Sequence, residues 1–301
     1  MKTLLFLALI PLFATAQREH INFDADWKFH LGNAADPAKD FNYRTVGIFV
    51  KSGKSKGTAI ATDFNDSSWR TLSLPHDWAV ELPFEYSDDS DVMSHGYKPV
   101  GGLYPENSVG WYRKHFSVAR SDSGQRFVIQ FDGIFRDSKI WINGFYLGNN
   151  ASGYCGVSYD ITDYLNFDKE NVLVVRVDAT QYEGWFYEGA GIYRHVWLNR
   201  YQDVHITRDG LFVHTQVRPD AAVVTVETTV INQGTKPSTS RLATYITDRD
   251  GGIVGRSAGM AVTLDVNETK TIKQEITVAR PLLWSPERPY LYRAEIGRAH
   301  V

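Results

Sequence analysis

The sequence predicts an all-β protein: a β-sandwich or jelly roll followed by a small immunoglobulin-like sandwich. Three observations predict it. No long stretch keeps apolar residues at i, i+3, i+4 and i+7, so helix signals are scarce. Short alternating runs recur between Gly, Asn and Asp turns, as in sandwiches and jelly rolls. Composition also shifts near Asp203–Gly210, from dense Trp, Tyr and Phe before it to Val and Thr after it.

The chain has 301 residues, room for about two domains. Its 43% hydrophobic and 22% charged content allow full cores and argue against disorder. Net charge is −3 with no basic block, so a nucleic-acid partner is not expected.

Residues 1–16 read as a signal peptide. Met1-Lys2 gives a short basic start, Leu4–Phe13 is apolar, and Ala14-Thr15-Ala16 fits an A-x-A cleavage site before Gln17. The expected location is therefore outside the cytoplasm, periplasmic or extracellular. The apolar stretch is too short for a membrane span, and nothing later qualifies. A lone cysteine, Cys155, forms no internal disulfide and is expected to be a small buried filler.

The polar, Gly/Lys-rich stretch Gly32–Thr62 reads as a long loop of the first domain. Arg126–Phe131 is the first clear strand, with Phe127, Ile129 and Phe131 on one face. Lys139–Ile142 runs into Asn143-Gly144, a hairpin signal because both residues accept positive φ, and Phe145–Leu147 returns. Val172–Val177 and His195–Leu198 are further strands. Past a boundary at about residue 205, Val223–Val230 and Ala243–Asp248 alternate at the spacing of a small sandwich. In Leu283–Tyr292, Pro286 and Pro289 prevent regular pairing, and Tyr290–Tyr292 is expected to start the last strand.

"EGWFYEGAGIYRHVWL", Glu183–Leu198, crowds aromatics and glycines into one turn before a strand. Gly184, Gly189 and Gly191 suit a tight reversal. Trp185, Phe186 and Tyr187 either fold back onto the core beneath the loop or stack on a flat, hydroxylated ligand. In "PHDW", Pro75 is expected to fix a turn while Asp77 and Trp78 tie the loop to the sandwich. Arg136-Asp137 reads as a buried pair at a strand end. Asp88, Asp89 and Asp91 read as solvated loop charges. No His/Cys cluster has metal spacing, and there is no Gly-x-Ser-x-Gly elbow or phosphate loop.

Five stretches stand in a telling order: "DFNDSSWRTLSLPHDW" (Asp63–Trp78), "GWYRKHF" (Gly110–Phe116), "FDGIFRDSKIWINGFYLG" (Phe131–Gly148), "GAGIYRHVWL" (Gly189–Leu198) and "LWSPERPYLY" (Leu283–Tyr292). Together they resemble the non-catalytic N-terminal part of glycoside hydrolase family 2, the β-galactosidase and β-glucuronidase family. The resemblance implies a jelly-roll sugar-binding domain over residues 17–205 and an immunoglobulin-like sandwich over residues 206–295. It further implies a catalytic TIM barrel that is absent from this chain.

In the family two barrel glutamates act in a retaining mechanism, which needs two carboxyl groups close across the sugar. This chain has no βα repeat to hold them. No catalytic residue, cofactor or metal is therefore expected within it. The resemblance implies that the loop before Ile192-Tyr193-Arg194 reaches toward the active site. In well-known β-galactosidases that turn carries a sugar-contacting acid, and the equivalent position here is Trp185, with Glu183 and Glu188 as nearby acids. The substrate-binding candidates are Trp185, Glu188, Glu183 and Tyr187.

The expected partners are a carbohydrate, a β-galactoside or related glycan, and the missing barrel, and a homo-oligomer is compatible with the resemblance. The expected whole enzyme is secreted and hydrolyses terminal β-linked sugars, and this part alone is expected to be inert. The alternatives are β-glucuronidase or β-mannosidase specificity, or a free-standing carbohydrate-binding or adhesive module. Finally, Ile296–Val301 would be encoded by ATC GGA AGA GCA CAC GTC, which matches a common sequencing-library adapter. Residues 296–301 are therefore expected to be a non-native tail.

Overall fold

The structure, a computed structural model, describes residues 18–45, 56–86, 88, 98–181 and 188–300. It forms two compact units, Glu19–Arg200 and Tyr201 onward. Both are built from β-strands.

The first unit contains two sheets. One has six strands in the order β3-β2-β4-β9-β6-β7: β2 Trp27–Gly32, β3 Arg70–Leu72, β4 Val109–Ser117, β6 Ser138–Ile142, β7 Phe145–Asn150 and β9 Glu170–Asp178. The other has four in the order β1-β10-β5-β8: β1 Glu19–Asn22, β5 Arg126–Phe131, β8 Val157–Asp160 and β10 Val196–Tyr201. Alternation produces the core between them. Phe127, Ile129 and Phe131 of β5 share one cluster with Leu173, Val175 and Val177 of β9 and Ile140 and Ile142 of β6. Asn143 (φ 50) and Gly144 (φ 84) close the β6–β7 hairpin. Asn143 also ties the turn to β9: its Oδ1 accepts from Val172 N at 2.9 Å and its Nδ2 donates to Asn171 Oδ1 at 2.8 Å.

The six-stranded sheet is buried on both faces, which accounts for the near-continuous apolar run of β9. On the outer face Val109, Trp111, Trp141, Val172 and Val174 pack with Ala34, Ala59, Ile60 and Trp69. The expectation for Gly32–Thr62 is refined: past β2 its described residues are the expected loop of the first unit, turns and a short 3-10 helix at Tyr43–Thr45, and that loop covers the sheet. Polar residues can lie there because they pair. Arg176 sends Nη2 to Asp40 Oδ2 at 2.8 Å and Nη1 to Asp178 at 2.9 Å, and Trp111 Nε1 donates to Asp40 Oδ1 at 2.8 Å. Arg113 Nε donates to Asp66 at 2.7 Å, and its Nη1 donates to the carbonyls of Ala59 and Ala61. Buried charges persist only when paired in this way.

Two other expectations are corrected. Cys155 is an exposed free thiol. Its turn is closed by side-chain bonds, Asn150 Nδ2 to the Cys155 carbonyl at 2.9 Å and Cys155 N to Ser152 Oγ at 3.2 Å, which leaves the thiol outside the core. Asp137, half-buried, takes Lys139 as its ion-pair partner at 3.3 Å in place of a buried pair with Arg136.

The second unit is a seven-stranded sandwich. One sheet runs β11-β12-β16: β11 Val204–Val217, β12 Ala221–Asn232 and β16 Thr269–Ala279. In the other, β13 Ser238–Thr247 is central. One side of it pairs with β17 Arg293–His300, the other with β15 Met260–Leu264 and β14 Ile253–Arg256. The last strand therefore begins at Arg293, after the proline-rich segment and not at Tyr290. Val226, Ile276 and Val278 face Ile246 across the core, and the buried Thr244 hydroxyl donates to Gln274 Oε1 at 2.7 Å.

Candidate functional site

The glycine-rich end of the Glu183–Leu198 loop is held by two segments distant in sequence. The first is the "PHDW" turn. Asp77 Oδ1 accepts from Ala190 N at 2.8 Å, Trp78 N donates to Ala190 O at 2.9 Å, and His76 N donates to Ile192 O at 2.8 Å. The second is Phe135, which exchanges both backbone bonds with Gly191 at 2.7 and 2.8 Å. Threading backbone between two segments this closely requires glycine. A Cβ at Gly189 (φ +73) would lie 2.6 Å from Asp77 Oδ2, and one at Gly191 (φ +134) would lie 2.5 Å from the His76 carbonyl.

The preceding foot is tied as well. Ala179 N donates to Ser108 O at 2.7 Å, and Thr180 N donates to Asp178 Oδ1 at 3.2 Å. Arg176 bonds Asp178, and its charge holds that carboxyl below the usual range against the opposing effect of burial.

Beneath Gly191 lies a polar cluster, buried at His76 and Tyr112 and exposed at Arg70 and Glu81. His76 Nδ1 meets the Tyr112 hydroxyl at 2.8 Å, and Arg70 reaches His76 Nε2 at 3.1 Å and Glu81 at 2.9 Å. Burial pushes His76 below the usual imidazole value, with Glu81 opposing. Arg70 has only donors to offer, so its contact with Nε2 suits the neutral ring, in which one nitrogen is free to accept. Burial likewise raises the Tyr112 phenol well above its ordinary value. Hydrogen bonding from Arg70 lowers Glu81. Glu81 Oε1 also lies 3.2 Å from His76 Nε2, and the cluster supports the loop from below.

Of the sequence candidates, Glu188 is half-buried beside Gly189, where the loop rejoins its anchor. Glu183, Trp185 and Tyr187 lie outside the described residues, as do Asp89 and Asp91. Sequence reasoning passed over Tyr154, a 54% exposed residue whose ring meets Phe135 edge-on at 5.7 Å, next to the Phe135–Gly191 bridge. No local signal marks it, because its position depends on the packing of Phe135 over Gly153. Among the described residues no group of three His, Cys, Asp or Glu could hold a metal ion. No helix there is long and apolar enough to cross a membrane.

These features define two β-sandwich units, the first with a loop anchored at its glycine-rich end. Residues 23–202 match the family described as glycosyl hydrolases family 2, sugar binding domain, and residues 204–298 match glycosyl hydrolases family 2. The chain belongs to glycosyl hydrolases family 2. It is 37% identical over 279 residues to Beta-galactosidase BoGH2A of Bacteroides ovatus, covering 91% of this chain and 29% of that protein. It is 28% identical to a Beta-glucuronidase of Formosa agariphila, covering 94% of this chain and 28% of that protein. Among solved structures, a glycosyl hydrolase family 2 member from Bacteroides cellulosilyticus superposes with a TM-score of 0.75 at 30% identity, over 94% of this chain and 34% of that one. The chain thus spans about a third or less of the length of the relatives it matches. Among the described residues the sheets are antiparallel β-sandwich layers, with no TIM barrel.

Proposed function

We propose that the full-length protein is an exported, retaining glycoside hydrolase that removes terminal β-linked sugars, galactose foremost. The 301-residue chain is its non-catalytic N-terminal part. The reading is carried by the 37% identity to a protein named a β-galactosidase, running through both units. The first unit, a jelly roll, supports the barrel and shapes one wall of the sugar pocket. Trp185, Glu188, Glu183 and Tyr187 supply that wall, on a loop whose feet are pinned at Ser108, Asp77 and Phe135. Met1–Ala16 directs export.

A second specificity has its own support in the 28% identical β-glucuronidase, which is matched over 94% of this chain. The test is to express the full-length product of the parent gene and assay aryl β-galactoside, β-glucuronide and β-mannoside side by side. Preferred turnover of the galactoside is expected. Preferred turnover of the glucuronide would transfer the specificity, and no turnover of any would overturn the enzyme reading. The 301-residue chain alone is expected to turn over none.

A further inference from the structure

The turn between β7 and β8 holds a large aromatic side chain outside the core. Tyr154 is 54% exposed, yet its turn is tightly bonded. Asn150 Oδ1 accepts from Ser152 N at 3.2 Å, and Ser152 Oγ accepts from Tyr154 N and Cys155 N, each at 3.2 Å. Asn150 Nδ2 donates to the Cys155 carbonyl at 2.9 Å. An aromatic ring on so fixed a turn loses little conformational entropy when it meets a ligand.

The same turn is joined to the glycine-rich end of the candidate loop. The Tyr193 hydroxyl donates to the Gly153 carbonyl at 2.9 Å. The Phe135 ring lies over Gly153, where any Cβ would overlap Phe135 Cδ2. Phe135 in turn exchanges backbone bonds with Gly191 and meets the Tyr154 ring at 5.7 Å, the planes 66° apart. Gly153, Tyr154, Phe135 and Gly191 are therefore packed in one continuous chain of contacts, three residues past Glu188. Elsewhere in the unit the exposed rings of Phe145 and Tyr164 pack on each other at 5.6 Å, which accounts for them without a ligand.

We infer that Tyr154 is a further aromatic platform of the sugar pocket, stacking on the C–H face of a pyranose ring beside the Glu188–Gly191 end of the loop. The inference rests on the glycosidase reading. A phenol ring offers a flat, electron-rich face to the weakly positive C–H groups of a sugar, while its hydroxyl stays with water or a sugar hydroxyl. No charge takes part, so the contact adds affinity for galactose and glucuronate alike and does not choose between them.

Two readouts on the full-length parent product test it. In steady-state kinetics, Tyr154→Ala and Tyr154→Leu are expected to raise KM for the preferred aryl glycoside about tenfold with kcat little changed, the scale of one aromatic contact. Tyr154→Phe, which keeps the ring, is expected to recover the wild-type KM. Unchanged KM in the alanine and leucine variants would overturn the platform. So would recovery by leucine as full as by phenylalanine, which would reduce Tyr154 to packing on Phe135. The second readout needs no substitution: Cys155, exposed and next in the chain, reports on the surface around Tyr154. Its alkylation by iodoacetamide, followed by peptide mass spectrometry, is expected to slow severalfold in saturating galactose or glucuronate. If the variants fail to fold, this readout decides, and a Cys155 whose alkylation is unchanged by either sugar would overturn the platform. An active enzyme with unshifted variants would count against the platform alone. A full-length protein that turns over no glycoside, yet whose Cys155 is protected by sugar, would count against the enzyme reading alone.

Discussion

Asp77 and Ala190, 113 residues apart, are joined by a 2.8 Å bond from the Ala190 N–H to Asp77 Oδ1. The same oxygen accepts from Ala79 N at 2.9 Å and caps the short 3-10 turn Trp78–Glu81. One carboxylate therefore closes its own turn and fixes the foot of the candidate sugar-facing loop. Asp77→Ala is expected to cost about 1–3 kcal/mol, the range for orphaned buried donors. Asp77→Asn, which keeps Oδ1 as an acceptor, should cost less. Urea unfolding and hydrogen exchange at Ala190 check both, with faster exchange expected in the alanine variant.

The full-length enzyme offers a functional counterpart. Trp185→Ala and Glu188→Gln are expected to raise KM for the preferred aryl glycoside by about tenfold, the scale of one lost stacking or polar contact of 1–1.5 kcal/mol. With kcat little changed, the loss would be uniform binding energy. Steady-state kinetics reads the split, and unchanged KM in both variants would remove these residues from the pocket.

Arg176 and Asp40 form the buried pair under the sheet cover, 2% and 1% exposed at their side chains. Removing only the carboxylate leaves Arg176 with Asp178 alone and orphans Trp111 Nε1. Asp40→Ala is expected to destabilise the first unit by about 3–5 kcal/mol, as broken buried pairs do. Chemical denaturation followed by tryptophan fluorescence would measure it, since Trp111 and Trp141 stack in this layer.

His76 makes stability depend on pH. Burial lowers its folded pKa below the ordinary 6.5, so the unfolded chain binds more protons at mildly acidic pH. Its contribution is complete above 6.5 and is lost as pH falls from 6.5 toward the depressed folded value. The wild-type urea midpoint should drop between about pH 7.5 and about pH 5.5 by more than that of His76→Gln. Equal drops would show that His76 is not the group responsible.

The second unit contains two buried hydroxyls without partners among the described residues, Thr228 Oγ1 and Ser240 Oγ. Ser240 faces Val204, Val230, Leu242, Val262 and Leu264 around a small apolar void. Replacing an unpartnered buried hydroxyl with a methyl group of similar shape is neutral to stabilising by about 1 kcal/mol. Thr228→Val and Ser240→Ala are expected to raise or preserve the thermal midpoint of the second unit. A clear fall in either, by calorimetry, would reveal a partner for that hydroxyl.

Local pattern alone determined a good part of this protein. Period-two alternation placed Phe127, Ile129 and Phe131 on one face, Asn143-Gly144 marked its hairpin, and the Val/Thr-rich strands of the second unit were readable because each buries one face. Five ordered motifs were enough to name the family. Tertiary structure decided what depends on partners far along the chain. The stretch around Asp40 looks solvated because its charge is visible in sequence, while Arg176, which neutralises it, stands 136 residues away. Cys155 looked like core filler until its turn was closed by Asn150 and Ser152. The candidate loop was legible as glycines and aromatics, but its anchoring at Asp77, Ser108 and Phe135 was not. Alternation is a property of neighbouring residues. Burial of a charge and fixing of a loop are properties of pairs that only long-range folding brings within hydrogen-bonding distance.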